Sequence, residues 1–272
     1  MEKPSHYNQG VKNHLTIREH DMKRVLFCLI ATATPSLGQI VSTAGKVDAK
    51  TQSGFGGRLE VTYQSANGNS DYTIYGGDAD LRYSAGSHVV IYLGNRTYGK
   101  DDTKVFANSH FSHLRYRRYV VPAFALEVFG QQSTNPFKNL KNREVLGGGL
   151  RKEFGGAALG VAIMQESEYY TDDIAGEVNN RFSFFLSYKH QAGTMGLDMV
   201  VYYQPRIRET SNAYTLFDPE DRRLLAEIGI RFKIHEKLAY KLTGKLTYDT
   251  MPPNENVDKR DVVVKNALVY EF

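Results

Sequence analysis

The segment from Asn108 to His113 contains the residues of this chain best suited to nucleophilic chemistry. His110 and Ser112 are two positions apart, so in a β-strand their side chains would share one face. A serine within hydrogen-bond reach of a histidine can be activated as a nucleophile. His113 would point to the opposite face from His110, which makes the two histidines a poor metal pair. We treat His110 and Ser112 as weak catalytic candidates, with polar residues inside a barrel lumen as the alternative interpretation.

Two other kinds of motif predict no bound ligand. The glycine runs Gly54–Gly57 and Gly147–Gly149 lack the Lys-Ser/Thr ending of a phosphate loop. The acidic pair Asp172-Asp173 and the segment Asp218–Asp221 lack the spacing of a calcium loop. We therefore expect no metal and no cofactor, and the glycines are expected to permit strand bending or close packing.

Composition excludes several classes of protein. The 272 residues carry 34 Lys+Arg against 30 Asp+Glu, so the charge pattern of a nucleic-acid binder is missing. With 18 Tyr, 14 Phe and 24 Gly, the chain is rich in strand formers and turn residues, and disorder is not expected. The overall hydrophobic fraction of 41% does not suit a bundle of membrane-spanning helices.

An export signal is predicted inside the N-terminal region. A basic segment at 22–24, an apolar run at 25–31 and a small-x-small site at 36–38 have the order of a secretory signal peptide. Because such a peptide begins near a start codon, residues 1–21 are predicted to be a mis-assigned upstream extension. Residues 22–38 are then the signal peptide, 39–52 a short periplasmic segment and 53–272 the folded domain. The single cysteine, Cys28, would be removed with the signal peptide.

Apolar and polar residues alternate from about Gly54 to the C-terminus. The clearest example is the segment Leu224–Ile234, where the even-numbered residues are apolar and the odd-numbered face includes Glu227, Arg231 and Lys233. Successive side chains of a strand point to opposite faces, so this pattern predicts strands with one apolar and one polar face.

The spacing of the strands predicts a barrel. We expect twelve strands, at 54–65, 71–84, 88–98, 104–117, 120–131, 142–154, 157–168, 180–190, 194–204, 223–234, 238–249 and 260–272. Tight turns, one of them around Tyr119, alternate with longer polar loops. This alternation is typical of an up-and-down antiparallel β-barrel of the outer membrane, which has short periplasmic turns and longer outer loops.

Charges of both signs fall on the inferred lumen side of the strands. They must pair or stay hydrated, because an unpaired buried charge is costly. One interpretation is a ladder of ion pairs that fills a narrow lumen, and the other is a conduit for small, mainly anionic solutes. The predicted lumen residues are Arg58, Glu60, Asp78, Asp80, Arg82, Arg143, Arg151, Glu166, Glu168, Arg181, Lys189, Glu227, Arg231, Lys233, Lys241, Lys245 and Lys265.

The C-terminal strand predicts an assembly signal. Leu268, Tyr270 and Phe272 alternate along one face, and Phe272 is the final residue. This ending is similar to the terminal strand by which bacterial outer-membrane proteins are recognised, although Ala267 stands where glycine is usual. We expect the barrel-assembly machinery and outer-membrane lipids as partners.

Two resemblances extend this interpretation. The His110-x-Ser112 pair is similar to that of outer-membrane phospholipase A, also a twelve-stranded barrel, but His113 replaces the expected Asn-Gly. The chain also resembles the YdiY-like family of uncharacterised outer-membrane proteins, domain of unknown function 481, over about residues 53–272. That resemblance rests on the turn Asn67–Asp71, the triplet Arg115–Arg117, Arg143 with Leu146–Leu150, and the aromatic terminus. It implies a location in the outer membrane and no assigned activity.

We therefore expect a monomeric bacterial outer-membrane β-barrel that acts as a structural protein or a small-solute pore. Two alternatives stay open. One is a barrel enzyme that modifies lipids, in which His110 and Ser112 would act, and the other is a soluble periplasmic β-rich binding protein. No nucleic-acid partner is expected.

Overall fold

The computed structural model describes residues 53–66, 72–101, 104–136, 139–170, 176–210, 213–215, 217–252 and 258–272. Residues 1–52, which include the predicted upstream extension, signal peptide and periplasmic segment, lie outside the described residues. The described residues contain no apolar helix of membrane-spanning length.

Fourteen strands make up the described structure. They are β1 (Gly54–Ala66), β2 (Tyr72–Ala85), β3 (His88–Asp101), β4 (Val105–Val121), β5 (Phe124–Asn135), β6 (Leu140–Phe154), β7 (Ala157–Tyr170), β8 (Glu177–Ala192), β9 (Met195–Pro205), β10 (Arg208–Thr210), β11 (Ala213–Thr215), β12 (Arg222–His235), β13 (Leu238–Asp249) and β14 (Arg260–Glu271).

Twelve of these strands close into one antiparallel barrel. Each barrel strand pairs with its neighbours in sequence, except that β12 pairs with β9, and β14 closes the barrel against β1. At the seam, Arg58 lies opposite Glu271 and Val61 opposite Leu268. Backbone hydrogen bonds between Gly57 and Phe272, at 2.9 and 3.0 Å, extend this pairing to the last residue. The predicted all-β barrel of twelve strands is confirmed.

Two local predictions were wrong. The turn between β4 and β5 lies at Pro122-Ala123, where Ala123 has φ 66°, and not around Tyr119. Tyr119 instead lies within β4 and is buried. The long connection between β9 and β12, expected to be a loop, contains the two-stranded hairpin β10–β11.

The outer face of the barrel is apolar. On β12, Leu224, Ile228, Phe232 and Ile234 share that face, and the last three of these side chains are 44 to 60% exposed. Closure of the barrel pairs the backbone groups of all twelve strands, which a structure in lipid requires because lipid offers no hydrogen-bond partner. The exposed apolar rows therefore suit a hydrocarbon environment rather than water.

The inner face is not uniformly polar, contrary to the predicted separation of the two faces. One buried apolar cluster joins β3, β4 and β5, and a second joins β7, β8, β9 and β12. The members of the first are Val89, Ile91, Leu93, Phe111, Tyr119 and Ala125. Those of the second are Ala158, Phe185, Val200, Tyr202 and Leu225. Large side chains therefore fill part of the lumen.

Candidate functional site

The inner face also carries most of the buried charge. Among the predicted lumen residues, the buried ones are Arg58, Glu60, Asp78, Asp80, Arg143, Arg151, Glu166, Glu168, Arg181 and Lys241. Those of intermediate exposure are Arg82, Lys189, Glu227, Arg231, Lys245 and Lys265. Lys233 is exposed beside the β12–β13 turn, at the end of the barrel.

Glu166 on β7 is the centre of the most deeply buried ion-pair cluster. Its carboxylate is 0% exposed and accepts hydrogen bonds from three arginines on three other strands. The donors are Arg143 Nε at 3.1 Å, Arg181 Nε at 3.3 Å and Arg223 Nη1 at 2.5 Å. Three positive charges around one carboxylate would repel one another if no further acid were present.

Further carboxylates complete this cluster. Glu168, two positions along β7, lies 3.2 Å from Arg143 and 3.0 Å from Arg223. Arg181 donates to both oxygens of Asp221, at 2.7 and 2.9 Å, and Arg223 donates to Asp249 at 2.9 Å. These seven residues form what we call the Glu166 cluster: Arg143, Glu166, Glu168, Arg181, Asp221, Arg223 and Asp249.

The strand pattern explains how the Glu166 cluster forms. Arg143 on β6 lies directly opposite Glu168 on β7 in the antiparallel register. Asp221 and Asp249 lie at or beside strand ends that lead into the long loops, so the cluster occupies the long-loop end of the lumen. Arg206 lies 3.7 Å from Asp221, which gives four arginines and four carboxylates in contact. The Glu166 cluster together with Arg206 is therefore close to electrically neutral.

A second cluster spans the seam where the barrel closes. Glu60 on β1 accepts from Lys241 on β13 at 3.2 Å, and Lys265 on β14 lies 3.8 Å from it. Arg58 Nε donates to Asp80 on β2 at 3.1 Å, and Lys265 also contacts Asp78. These pairs cross-link strands from the two ends of the barrel sheet, so they favour closure as well as charge neutrality.

A third cluster was missed from the sequence. Arg115 and Arg117 on β4 donate to the two oxygens of Glu127 on β5, at 2.7 and 2.6 Å. Arg115 Nε also donates to His113 Nε2 at 3.2 Å. Arg115 and Arg117 lie two positions apart within a predicted strand, so the period-2 rule could have placed both in the lumen.

The described lumen side chains line a small cavity. A cavity of about 30 Å³ lies among His113, Arg143, Ser183, Tyr202 and Gln204, with other lumen residues around it. A polar space of that size holds one or two water molecules. Within the part of the chain that is described, no three His, Cys, Asp or Glu side chains are grouped as a metal site.

The weak catalytic candidates lie on the outer wall. Along β4 the odd-numbered residues Phe111, His113, Arg115 and Arg117 are buried inside, so His110 and Ser112 face outward. No hydrogen bond joins His110 to Ser112 in the described structure. The pair therefore shares a face as the spacing predicts, but it is outside the lumen and lacks the contact that would activate the serine.

The C-terminal residues also face outward. Leu268, Tyr270 and Phe272 are 53, 45 and 43% exposed, and the rings of Tyr270 and Phe272 stack with centroids 6.1 Å apart. Phe272 also lies 5.9 Å from the ring of Phe55 on β1. The predicted assembly residues thus form one continuous apolar edge along the seam.

Comparison with known structures supports the fold. The COG4313 outer membrane channel from Pseudomonas putida F1 is similar with a TM-score of 0.50 and 12% identity, covering 86% of this chain and 100% of that one. The NanC porin is similar with a TM-score of 0.43 and 8% identity, covering 80% and 97%. The similarity to the COG4313 channel, together with the closed twelve-stranded sheet, supports the fold of an outer-membrane β-barrel.

Sequence comparison gives a more limited result. No curated protein matches the chain. A family model matches one segment of the chain, and this segment contains all of strands β2 to β6. Residues 59–155 match the protein family of unknown function DUF481, which confirms over that segment the resemblance inferred from the sequence motifs.

Proposed function

We propose that this protein is a structural barrel of the bacterial outer membrane, whose lumen is closed at the long-loop end by the Glu166 cluster. The observation that carries the proposal is the complete burial of Glu166 among three arginines. A charged side chain that lines a water-filled pore keeps contact with solvent, whereas Glu166, Arg181 and Arg223 are 0, 1 and 3% exposed.

The arrangement of charge favours closure over anion conduction. A selective pore presents rings of one sign to the passing ion. The Glu166 cluster instead pairs each arginine with a carboxylate, so its positive charge is already neutralised. The apolar clusters on β3–β5 and β7–β9 add side chains that hydrate poorly. A small-solute pore would require the side chains of the Glu166 cluster and of the two apolar clusters to move apart.

The two other functional alternatives have less support. Lipid modification would need an activated nucleophile, and His110 and Ser112 are not hydrogen-bonded to each other in the described structure. A soluble binding protein would leave apolar rows such as Ile228, Phe232 and Ile234 in water, which soluble proteins avoid over large areas.

Conductance in planar lipid bilayers tests the proposal. The purified, refolded barrel should insert without giving steady open-channel current. The double variant Glu166→Ala with Arg223→Ala should show openings, because it removes both the acceptor and one of its donors. Arg96→Ala is the matched control, because Arg96 faces outward and its side chain donates a hydrogen bond to Asn108. This control variant should show no channel openings. Steady current from the unaltered protein would overturn the proposal and favour the small-solute pore.

A further inference from the structure

Two cations lie on the outer wall of the barrel, near the short turns. Arg118 on β4 and Lys152 on β6 are exposed. The residues beside them, Arg117, Tyr119 and Arg151, are buried and point into the lumen, so the two cations point outward. In the described structure neither cation forms an ion pair or a side-chain hydrogen bond.

Apolar side chains flank Arg118 along its strand and on one side of it. Along β4 the next outward residues are Tyr116 toward the middle of the wall and Val120 toward the short turn, 38 and 47% exposed. On β5 the residue directly opposite is Leu126, which is 45% exposed. His88 lies opposite on β3. The side chain of Arg118 therefore begins within the apolar wall and not beyond its edge.

Lys152 has apolar neighbours on all four sides. Along β6 the next outward residues are Leu150 and Phe154, 42 and 46% exposed. Phe124 on β5 and Leu159 on β7 lie directly opposite it. A lysine in such surroundings buries its aliphatic stem against apolar surface and extends its ammonium toward the nearest polar layer.

That polar layer lies at the short-turn end. Lys152 is three residues before Gly155 and Arg118 is four before Pro122, which is about 10 and 13 Å along a strand. The distance across the membrane is shorter because barrel strands are tilted, and the head-group layer of one leaflet is roughly 5–8 Å thick. Both charged groups can therefore reach the head-group phosphates of the periplasmic leaflet.

The two cations are close enough to contact one lipid. Only β5 separates their strands, and Leu126, opposite Arg118, is one outward position from Phe124, opposite Lys152. The strand spacing and the rise per residue then place the two Cα atoms about 12 Å apart. Two side chains as long as those of arginine and lysine can span that distance to a shared phosphate.

The charge around this pair is of one sign. Within the described residues, no Asp or Glu occupies an outward position in the short-turn half of β3 to β7. His88 Nδ1 lies 2.6 Å from the Tyr116 hydroxyl, and when that hydroxyl donates to Nδ1 the ring proton is on Nε2, which can donate to a ligand. A phosphate complements these donors, whereas the ammonium of a zwitterionic lipid would find no acceptor beside them.

We propose that Arg118 and Lys152 bind the phosphate of an anionic phospholipid in the periplasmic leaflet, and we call this pair the Arg118–Lys152 site. The proposal rests on the membrane placement in the proposed function. The phosphate oxygens would accept charge-assisted hydrogen bonds from both cations, and the acyl chains would lie over Leu126 and Leu150.

Quenching of a single tryptophan by brominated lipid tests this proposal. The chain contains no Trp, so Leu126→Trp on β5 reports on the Arg118–Lys152 site. Leu242→Trp on β13 is the matched control, since its outward neighbours Ile230, Tyr240 and Asn266 carry no charge. The barrels would be reconstituted in phosphatidylglycerol mixed with phosphatidylcholine or with phosphatidylethanolamine, each lipid being brominated in turn. At position 126 we expect at least about a threefold preference for phosphatidylglycerol, and at position 242 none.

Two double variants test whether charge causes the preference. Arg118→Gln with Lys152→Gln should abolish the preference at position 126, because it removes both charges. Arg118→Lys with Lys152→Arg keeps both charges and should retain the preference. Heat-dependent electrophoretic mobility should show that both double variants fold as the unaltered barrel does.

The outcomes separate this proposal from the membrane placement on which it rests. Equal quenching by the three lipids at both positions, or a preference that survives in the double glutamine variant, would overturn the site while leaving the barrel in the bilayer. Weak quenching at 126 by every lipid, with normal quenching at 242, would indicate that protein covers the site and would also overturn it. Weak quenching at both positions would contradict the membrane placement itself.

Discussion

Arg223 Nη1 on β12 lies 2.5 Å from Glu166 Oε1 on β7, although the two residues are 57 positions apart in sequence. Strands β8 and β9 separate them in the sheet, so the contact crosses the lumen rather than joining neighbours. Such a contact can exist only if side chains from different parts of the wall meet inside the barrel. It links the closure of the lumen to the stability of the fold.

Replacing Glu166 with glutamine should destabilise the barrel strongly. The change leaves Arg143, Arg181 and Arg223 without their shared charged acceptor, and breaking a buried ion pair costs about 3–5 kcal/mol. Urea unfolding in detergent micelles would measure the loss. Glu153→Gln, whose side chain is 22% exposed, should cost much less. Equal midpoints for Glu166→Gln and the unaltered barrel would show that the cluster does not hold the wall together.

The glycine motif Leu146–Leu150 should show a position-dependent response to alanine. A Cβ at Gly149 would lie 2.2 Å from Val161 O, a backbone atom that cannot move aside. A Cβ at Gly148 would be 3.4 Å from Glu127 O, which is ordinary contact. Gly149→Ala should therefore lose about 1–3 kcal/mol of unfolding free energy, and Gly148→Ala should lose little. Thermal unfolding followed by electrophoretic mobility compares the two, and the reverse order would be inconsistent with the packing described.

Charge on the outer wall should be costly where the wall meets hydrocarbon. Ile228→Arg places a guanidinium in the apolar row of β12, and such changes cost about 2–4 kcal/mol near the bilayer centre. Ser112→Arg should cost less, because Ser112 lies in an outward polar row beside Gln132 on β5 and Glu144 on β6. Folding efficiency into lipid vesicles at graded urea would separate the two variants. A soluble barrel would tolerate both.

The double variant His110→Ala with Ser112→Ala should fold as the unaltered chain does, because both side chains lie on the outer face and neither forms a hydrogen bond in the described structure. We also expect the unaltered protein to release no fatty acid from phospholipid vesicles. Fatty-acid release that disappears in the double variant would favour the lipid-modifying alternative.

The strand pattern was predictable because apolar and polar residues alternate along most of the barrel strands. Alternation fixed the faces of Leu224–Ile234, and the tight turns and long loops gave the strand count. The turn at Pro122-Ala123 was missed because Ala123 adopts a positive φ, which alanine rarely does, so the residue type gave no turn signal. The apolar clusters inside the barrel were missed because segments such as Val89–Leu93 are apolar on both faces, so periodicity cannot assign them.

The partners within the lumen were less predictable than its lining. Arg143 and Glu168 are neighbours through strand register, which the strand order implies. Glu166 and Arg223 meet through side-chain length and barrel curvature, and no spacing in the sequence encodes that contact. On the outer wall, the neighbours Ser112, Gln132, Glu144 and Ser167 can be recognised only from the register of the four strands β4 to β7.

Accessibility of spin labels along β12 tests most directly whether the apolar residues face lipid. Single cysteines at successive positions from 224 to 234 would be labelled in the reconstituted barrel, with Cys28 replaced where it is retained. We predict that labels at even positions collide mainly with oxygen dissolved in the bilayer, while those at odd positions, beginning with Leu225, are shielded from it. Even-numbered labels that instead contact a water-soluble nickel complex, or that are protected from both reagents, would contradict the membrane barrel.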